Sequence, residues 1–156
     1  MHRIIDIFRF IIISLEAMWV GIIFVIYLYF NEYLQILGAQ LIGNSNLWKT
    51  LYLLPIGFLM SSLKSTSGIR SPLDKNENKI LYESNVYKKI TDRVIYSLFQ
   101  NIVCCIGMFA VWMFPAKLSE GAHGALFLIF VGISGISALT LILTEQKLKE
   151  LLTLHT

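Results

Sequence analysis

The chain has 156 residues, of which 56% are hydrophobic and 15% charged, and it carries a formal charge of +3. Soluble domains average about 45–50% apolar and about 25% charged residues. The shortage of charge excludes an ordinary water-facing surface and points to an integral membrane protein.

Residues 10–30 form the first apolar segment, broken only by Ser14 and Glu16. Its run exceeds the ~7–15 residues of a signal-peptide core, and no small-x-small site follows cleanly, so it is expected to persist as a helix. Residues 31–46, NEYLQILGAQLIGNSN, set Leu34, Ile36, Leu37, Leu41 and Ile42 along a short interfacial helix before a turn at 43–46. Residues 47–63, LWKTLYLLPIGFLMSSL, make a second, shorter segment that contains Lys49 and Pro55. A turn is expected at 65–68. Ser71 before Pro72 then marks a helix start, with Asp74 and Glu77 acidic in its first turn.

Ile80, Tyr87, Ile90 and Val94 recur at helical spacing. One helix beginning near 72 or 80 is therefore expected to run into a third apolar segment at 94–114. Residues 115–124 close a tight loop. The fourth segment, 125–144, continues through EQKLKELLTL with Leu148, Leu151 and Leu152 on one side. A spanning helix needs about 17–25 mostly apolar residues, so the chain reads as an all-α integral membrane protein with four transmembrane helices.

Of the 13 Lys and Arg, only Lys49 and Lys117 fall on one side of this scheme. The rest lie in the N-terminal arm, the 64–93 linker and the tail, which places both termini and the linker in the cytoplasm. Three regions follow: an N-terminal hairpin (1–63) with its outer loop, a basic cytoplasmic linker (64–93), and a C-terminal hairpin (94–156) with a short tail. Helices three and four extend inward as stalks that can pack on each other or on a partner. The expected location is a bacterial inner membrane.

Glu16 is the most costly residue in this layout. It lies about 9 Å into the apolar layer, where an acid costs up to roughly 2.5–3.5 kcal/mol on insertion scales. It is either an ion-path or proton-responsive group, or a neutral, hydrogen-bonded carboxyl that fixes packing. Its expected partners are on the third span: Ser97 and Asn101 share a helix face with Cys104, and Gln100 flanks them. Again two readings stand, a polar pathway or hydrogen bonding between helices at ~0.6 kcal/mol each. On the fourth span Gly132, Ser134, Gly135 and Ala138 allow close helix approach, within the bundle or between subunits of a homo-oligomer.

Adjacent Cys104 and Cys105 lack CxxC spacing and read as apolar filler. His2, His123 and His155 share no metal-ligand spacing. No phosphate loop or nucleophile motif is present, so neither an enzyme nor a cofactor is expected. In the linker, Lys75, Lys79, Tyr82, Tyr87, Lys88, Lys89 and Arg93 form the expected docking surface for a soluble cytoplasmic protein. The competing reading has the basic residues only set topology and touch lipid. The interspersed Asp74, Glu77, Glu83 and Asp92 argue against direct nucleic-acid binding.

In its order of features the chain resembles the membrane components of phage-exclusion and phage-defence systems. The matching stretches are the linker KKITDRVIYSLF at 88–99 and the tail LTEQKLKEL at 143–151. The lambda Rex exclusion membrane protein and the membrane subunit of Kiwa defence systems share this layout. The resemblance implies one of two roles. A Kiwa-like protein is a membrane sensor holding a soluble effector; a Rex-like protein is a pore that depolarises the cell. The docking element favours the sensor or anchor, with the pore as the alternative and a small transporter third.

Overall fold

The computed structural model describes residues 15–43, 50–70 and 85–153. These fold into five α-helices with no strand among the described residues: α1 (Leu15–Tyr29), α2 (Asn31–Ile42), α3 (Leu54–Arg70), α4 (Asn85–Met113) and α5 (Glu120–Thr153). The helix α5 is the axis of the molecule and packs against each of the other four. At 34 residues it is about 50 Å long, well beyond a ~30 Å hydrocarbon layer.

Helix α5 starts at Glu120, five residues before the expected apolar boundary. Ser119 caps it: its Oγ accepts from the Ala122 amide at 3.3 Å and its carbonyl from the His123 amide at 2.9 Å. A capped first turn satisfies amide groups that would otherwise be orphaned, so the helix reaches back into the loop. The rest of that loop is a short 3-10 turn at Pro115–Lys117.

Helix α1 runs antiparallel along α5. The chain then bends by 102° between α1 and α2, and α2 lies across the start of α5. Glycines make this crossing possible: a Cβ on Gly38 would overlap the Glu120 carbonyl, and one on Gly124 the Leu34 carbonyl. Leu34, Ile23 and Ala125 form the small core where α1, α2 and α5 meet. A larger core of Leu41, Tyr52, Met108, Val111 and Phe127 fills this end of the bundle.

At the opposite end Ile69, Val94, Leu141 and Leu148 close α3, α4 and α5 together. The two expected stalks therefore pack on each other and on the end of α3 over their described length. The part of the expected linker helix before residue 85 lies outside the described residues, as do the arm at 1–14 and residues 44–46 of the turn expected at 43–46.

Two expectations for α3 are corrected. The helix runs over 54–70, past the expected end at 63, with Pro55 in its first turn, where a missing N–H costs nothing; residues 50–51 before it are helical and 47–49 lie outside the described residues. The turn expected at 65–68 is helical. Thr66 Oγ1 donates to the Ser62 carbonyl at 2.8 Å and Ser67 Oγ to the Lys64 carbonyl at 2.7 Å. These hydroxyls bond back along the helix instead of breaking it, and Gly68 packs beneath the Glu145 side chain.

Helices α4 and α5 are each long and apolar enough to cross a membrane, and α1 with α2 forms a third, bent candidate. Helix α3, with 17 residues including Lys64 and Arg70, falls short of that standard. The described charges are strongly asymmetric. Lys64, Arg70, Lys88, Lys89, Arg93, Lys147 and Lys149 cluster where α3 ends and α4 begins, and Lys117 alone lies at the other end.

Candidate functional site

The interior of an apolar bundle shows its chemistry in the polar groups it agrees to bury. Here they recur along one stripe of α5. His123, Ser134 and Glu145 are eleven residues apart, close to three turns, so they share a face at ~16 Å intervals.

The middle level is a three-helix hydrogen-bond chain. Asn101 Nδ2 of α4 donates to Ser62 Oγ of α3 at 2.9 Å, and Ser134 Oγ of α5 donates to Asn101 Oδ1 at 2.7 Å. Ser62 Oγ in turn donates to the Phe58 carbonyl at 2.8 Å. All three side chains are fully buried. In an apolar medium such groups have no water to fall back on, so the chain fixes the register of three helices at once.

One turn further, Ser137 Oγ donates to Glu16 Oε1 at 3.4 Å. Glu16 is 7% exposed, and Tyr96 of α4 lies within electrostatic reach of it. The expected partner of Glu16 was the third span; its hydrogen-bond partner is on the fourth. Ser97 is buried and Gln100 Oε1 is buried without a hydrogen bond, so neither joins the Asn101 chain.

The level nearest the start of α5 pairs Tyr52 with His123: the phenol oxygen and Nε2 are 2.5 Å apart, with the rings edge to face. His123 Nδ1 is buried and unpaired, as is Asn31 Oδ1 beside Gly121. Nothing in the sequence marks the Tyr52–His123 pair, because its members are far apart in the chain and carry no motif. At the level toward the basic end Glu145 pairs with Lys149 at 2.6 Å and with the Ser65 hydroxyl.

Apolar layers separate these levels. Phe127 and Met108 lie between His123 and the serine chain, and Leu141 lies between that chain and Glu145. The described residues of one chain thus offer no continuous polar path from end to end, and the hydrogen bonds of Ser62, Asn101, Ser134, Ser137 and Glu16 join helix to helix.

The four small residues of α5 all make contacts inside this bundle. Gly132 underlies Trp19, whose Nε1 donates to the Leu128 carbonyl at 2.9 Å. Ser134 holds Asn101, Gly135 faces Phe58 and Ala138 is buried.

Of the expected docking residues, Lys75, Lys79 and Tyr82 lie outside the described residues. Lys88, Lys89 and Arg93 are exposed on the first turns of α4. Tyr87 is turned inward at 8% exposure; its hydroxyl lies 3.3 Å from the Ile69 and Arg70 carbonyls, where it caps the end of α3.

No family model, curated protein or solved structure matches the chain. What the fold defines is a class: a helical protein with two apolar helices of membrane-crossing length, three with the bent pair, fastened by buried polar side chains. These helices suit a multi-pass membrane protein.

Proposed function

We propose that the chain is a four-span protein of a bacterial inner membrane that serves as a membrane sensor or anchor for a soluble cytoplasmic protein. In this reading α3 is the remaining span, both termini are cytoplasmic, and the basic end of the bundle faces the cytoplasm. The observation that carries it is the charge asymmetry, with exposed Lys88 and Lys89 on a helix end braced by the Ile69–Val94–Leu148 core. A rigid, charged helix end at a membrane surface is a docking element for an acidic partner face. The interruption of the polar stripe by Phe127 and Leu141 counts against a pore within one chain. The role in antiphage defence rests on the resemblance in the order of features.

The test is a pull-down of the tagged full-length protein from its native host in mild detergent, with the native mass measured on the same preparation. A stoichiometric soluble protein is expected, captured by the wild type and lost from Lys88→Glu/Lys89→Glu at unchanged membrane levels. A preparation holding only copies of this chain would reject the docking reading. The pore reading would then lead, with Glu16→Gln in a conductance assay as its test.

A further inference from the structure

Helices α3 and α4 separate slightly at the basic end and leave a cleft of about 170 Å³. Its walls are apolar: Ile69, Val94, Ile95 and Leu98. Arg70 stands at the rim, at the last turn of α3. Thr66 and Thr91 also line it, but each hydroxyl proton is already donated to the helix's own backbone, at 2.8 and 3.0 Å. They offer the cleft methyl groups and oxygen acceptors. Arg70 is therefore the one lining side chain with N–H donors. Its guanidinium carries five N–H groups, enough to serve another partner and a phosphate together.

From the cleft an exposed apolar track leads along α4 through Ile95, Phe99, Ile102 and Ile106. Residues 95–106 rise about 16 Å, close to half of a ~30 Å hydrocarbon layer and so to one leaflet. Lys64, Lys88, Lys89 and Arg93 lie at the same end of the bundle, where the positive charge outnumbers the described acids Asp92, Glu145 and Glu150, with Glu145 engaged by Lys149 and Lys64.

We propose that this cleft binds one anionic phospholipid, its headgroup phosphate on Arg70 and an acyl chain between α3 and α4 running along Ile95 toward Phe99. A cationic rim over an apolar slot matches the two halves of that molecule. A free phosphate would leave the slot unfilled, and a zwitterionic lipid would bring an ammonium group toward the same cations. The proposal rests on the chain lying in a bilayer with this end at the headgroups, and is independent of the docking partner.

The experiment titrates phosphatidylglycerol, phosphatidylcholine or soluble glycerol phosphate into the purified full-length protein in neutral detergent, and counts bound lipid by native mass spectrometry. One phosphatidylglycerol per chain is expected, bound about tenfold more tightly than phosphatidylcholine, with the preference lost in Arg70→Gln. Ile95→Trp, at a position 60% exposed, is expected to block the slot while the protein stays folded. Lys147→Gln, at the same end but outside the cleft, should leave binding within about twofold. Equal binding of the two lipids would overturn the proposal. So would an undiminished preference in Arg70→Gln, glycerol phosphate competing as well as the intact lipid, or an equal loss in Lys147→Gln. A protein that needs no detergent to stay in solution would overturn the membrane reading itself.

Discussion

Gly38→Ala is expected to pry α2 off the start of α5 and to produce the largest stability loss of any single methyl added to this chain. The new Cβ would meet the Glu120 carbonyl, which is main chain and cannot rotate aside. Small-to-large changes in packed cores cost about 1–3 kcal/mol, and a contact against backbone belongs at the upper end of that range. Gly124→Ala drives the Leu34 carbonyl away across the same crossing, so the double variant should lose less than the two single losses combined. The controls are in the same molecule. A Cβ on Gly21 or Gly57 meets nothing within 4 Å, and alanine there should be neutral or stabilise by up to about 1 kcal/mol through helix propensity. Thermal unfolding of the five variants in detergent checks the ordering; Gly38→Ala melting with Gly21→Ala would refute the crossing.

The second large effect is expected from Asn101→Leu. It is nearly matched in volume and suits the surrounding hydrocarbon, yet it removes both hydrogen bonds of the central chain. Ser62 keeps its bond to the Phe58 carbonyl, and Ser134 can turn back onto its own helix, which limits the loss to about 1–2 kcal/mol. Ser134→Ala alone should cost about 0.6 kcal/mol, the usual size of such bonds in membrane bundles. Combined with Asn101→Leu it should cost almost nothing more, because its partner has already gone. Strict additivity of the two would mean that Asn101 contributes through its shape and that the hydrogen bonds are incidental.

The helices were legible in the sequence because apolar length and charge placement are local properties. The short helix at 31–42 and the continuation of the third and fourth segments into charged turns could be read for the same reason. The 102° bend could not. Phe30–Asn31 holds neither proline nor glycine, and the bend is held by two glycines far apart in sequence, Gly38 and Gly124, whose meeting is a tertiary fact. Ser65–Gly68 misled because serine and threonine favour turns only where no helix neighbour holds the backbone; here α5 supplies one, through Leu141, Glu145 and Leu148.

The polar residues were legible as a set but not in their pairing. Asn101 was readable as buried, yet its partners are Ser62 and Ser134. The spacing of Ser134 marks it as a small packing residue, and in the fold it is also a donor. Glu16 meets Ser137, one turn away on the same helix. Helix periodicity tells which face a side chain shares, and pairing depends on which helix that face meets.

The topology and the cytoplasmic docking proposed for the basic end depend on which side of the membrane it faces. The most direct measurement is cysteine labelling in intact cells with a membrane-impermeant maleimide, in a background where Cys104 and Cys105 are replaced by alanine. Lys117→Cys, in the loop before α5, should label in whole cells. Lys89→Cys, on the first turns of α4, should label only after the membrane is broken. The reverse pattern would place the basic end outside and contradict both the topology and the cytoplasmic docking built on it.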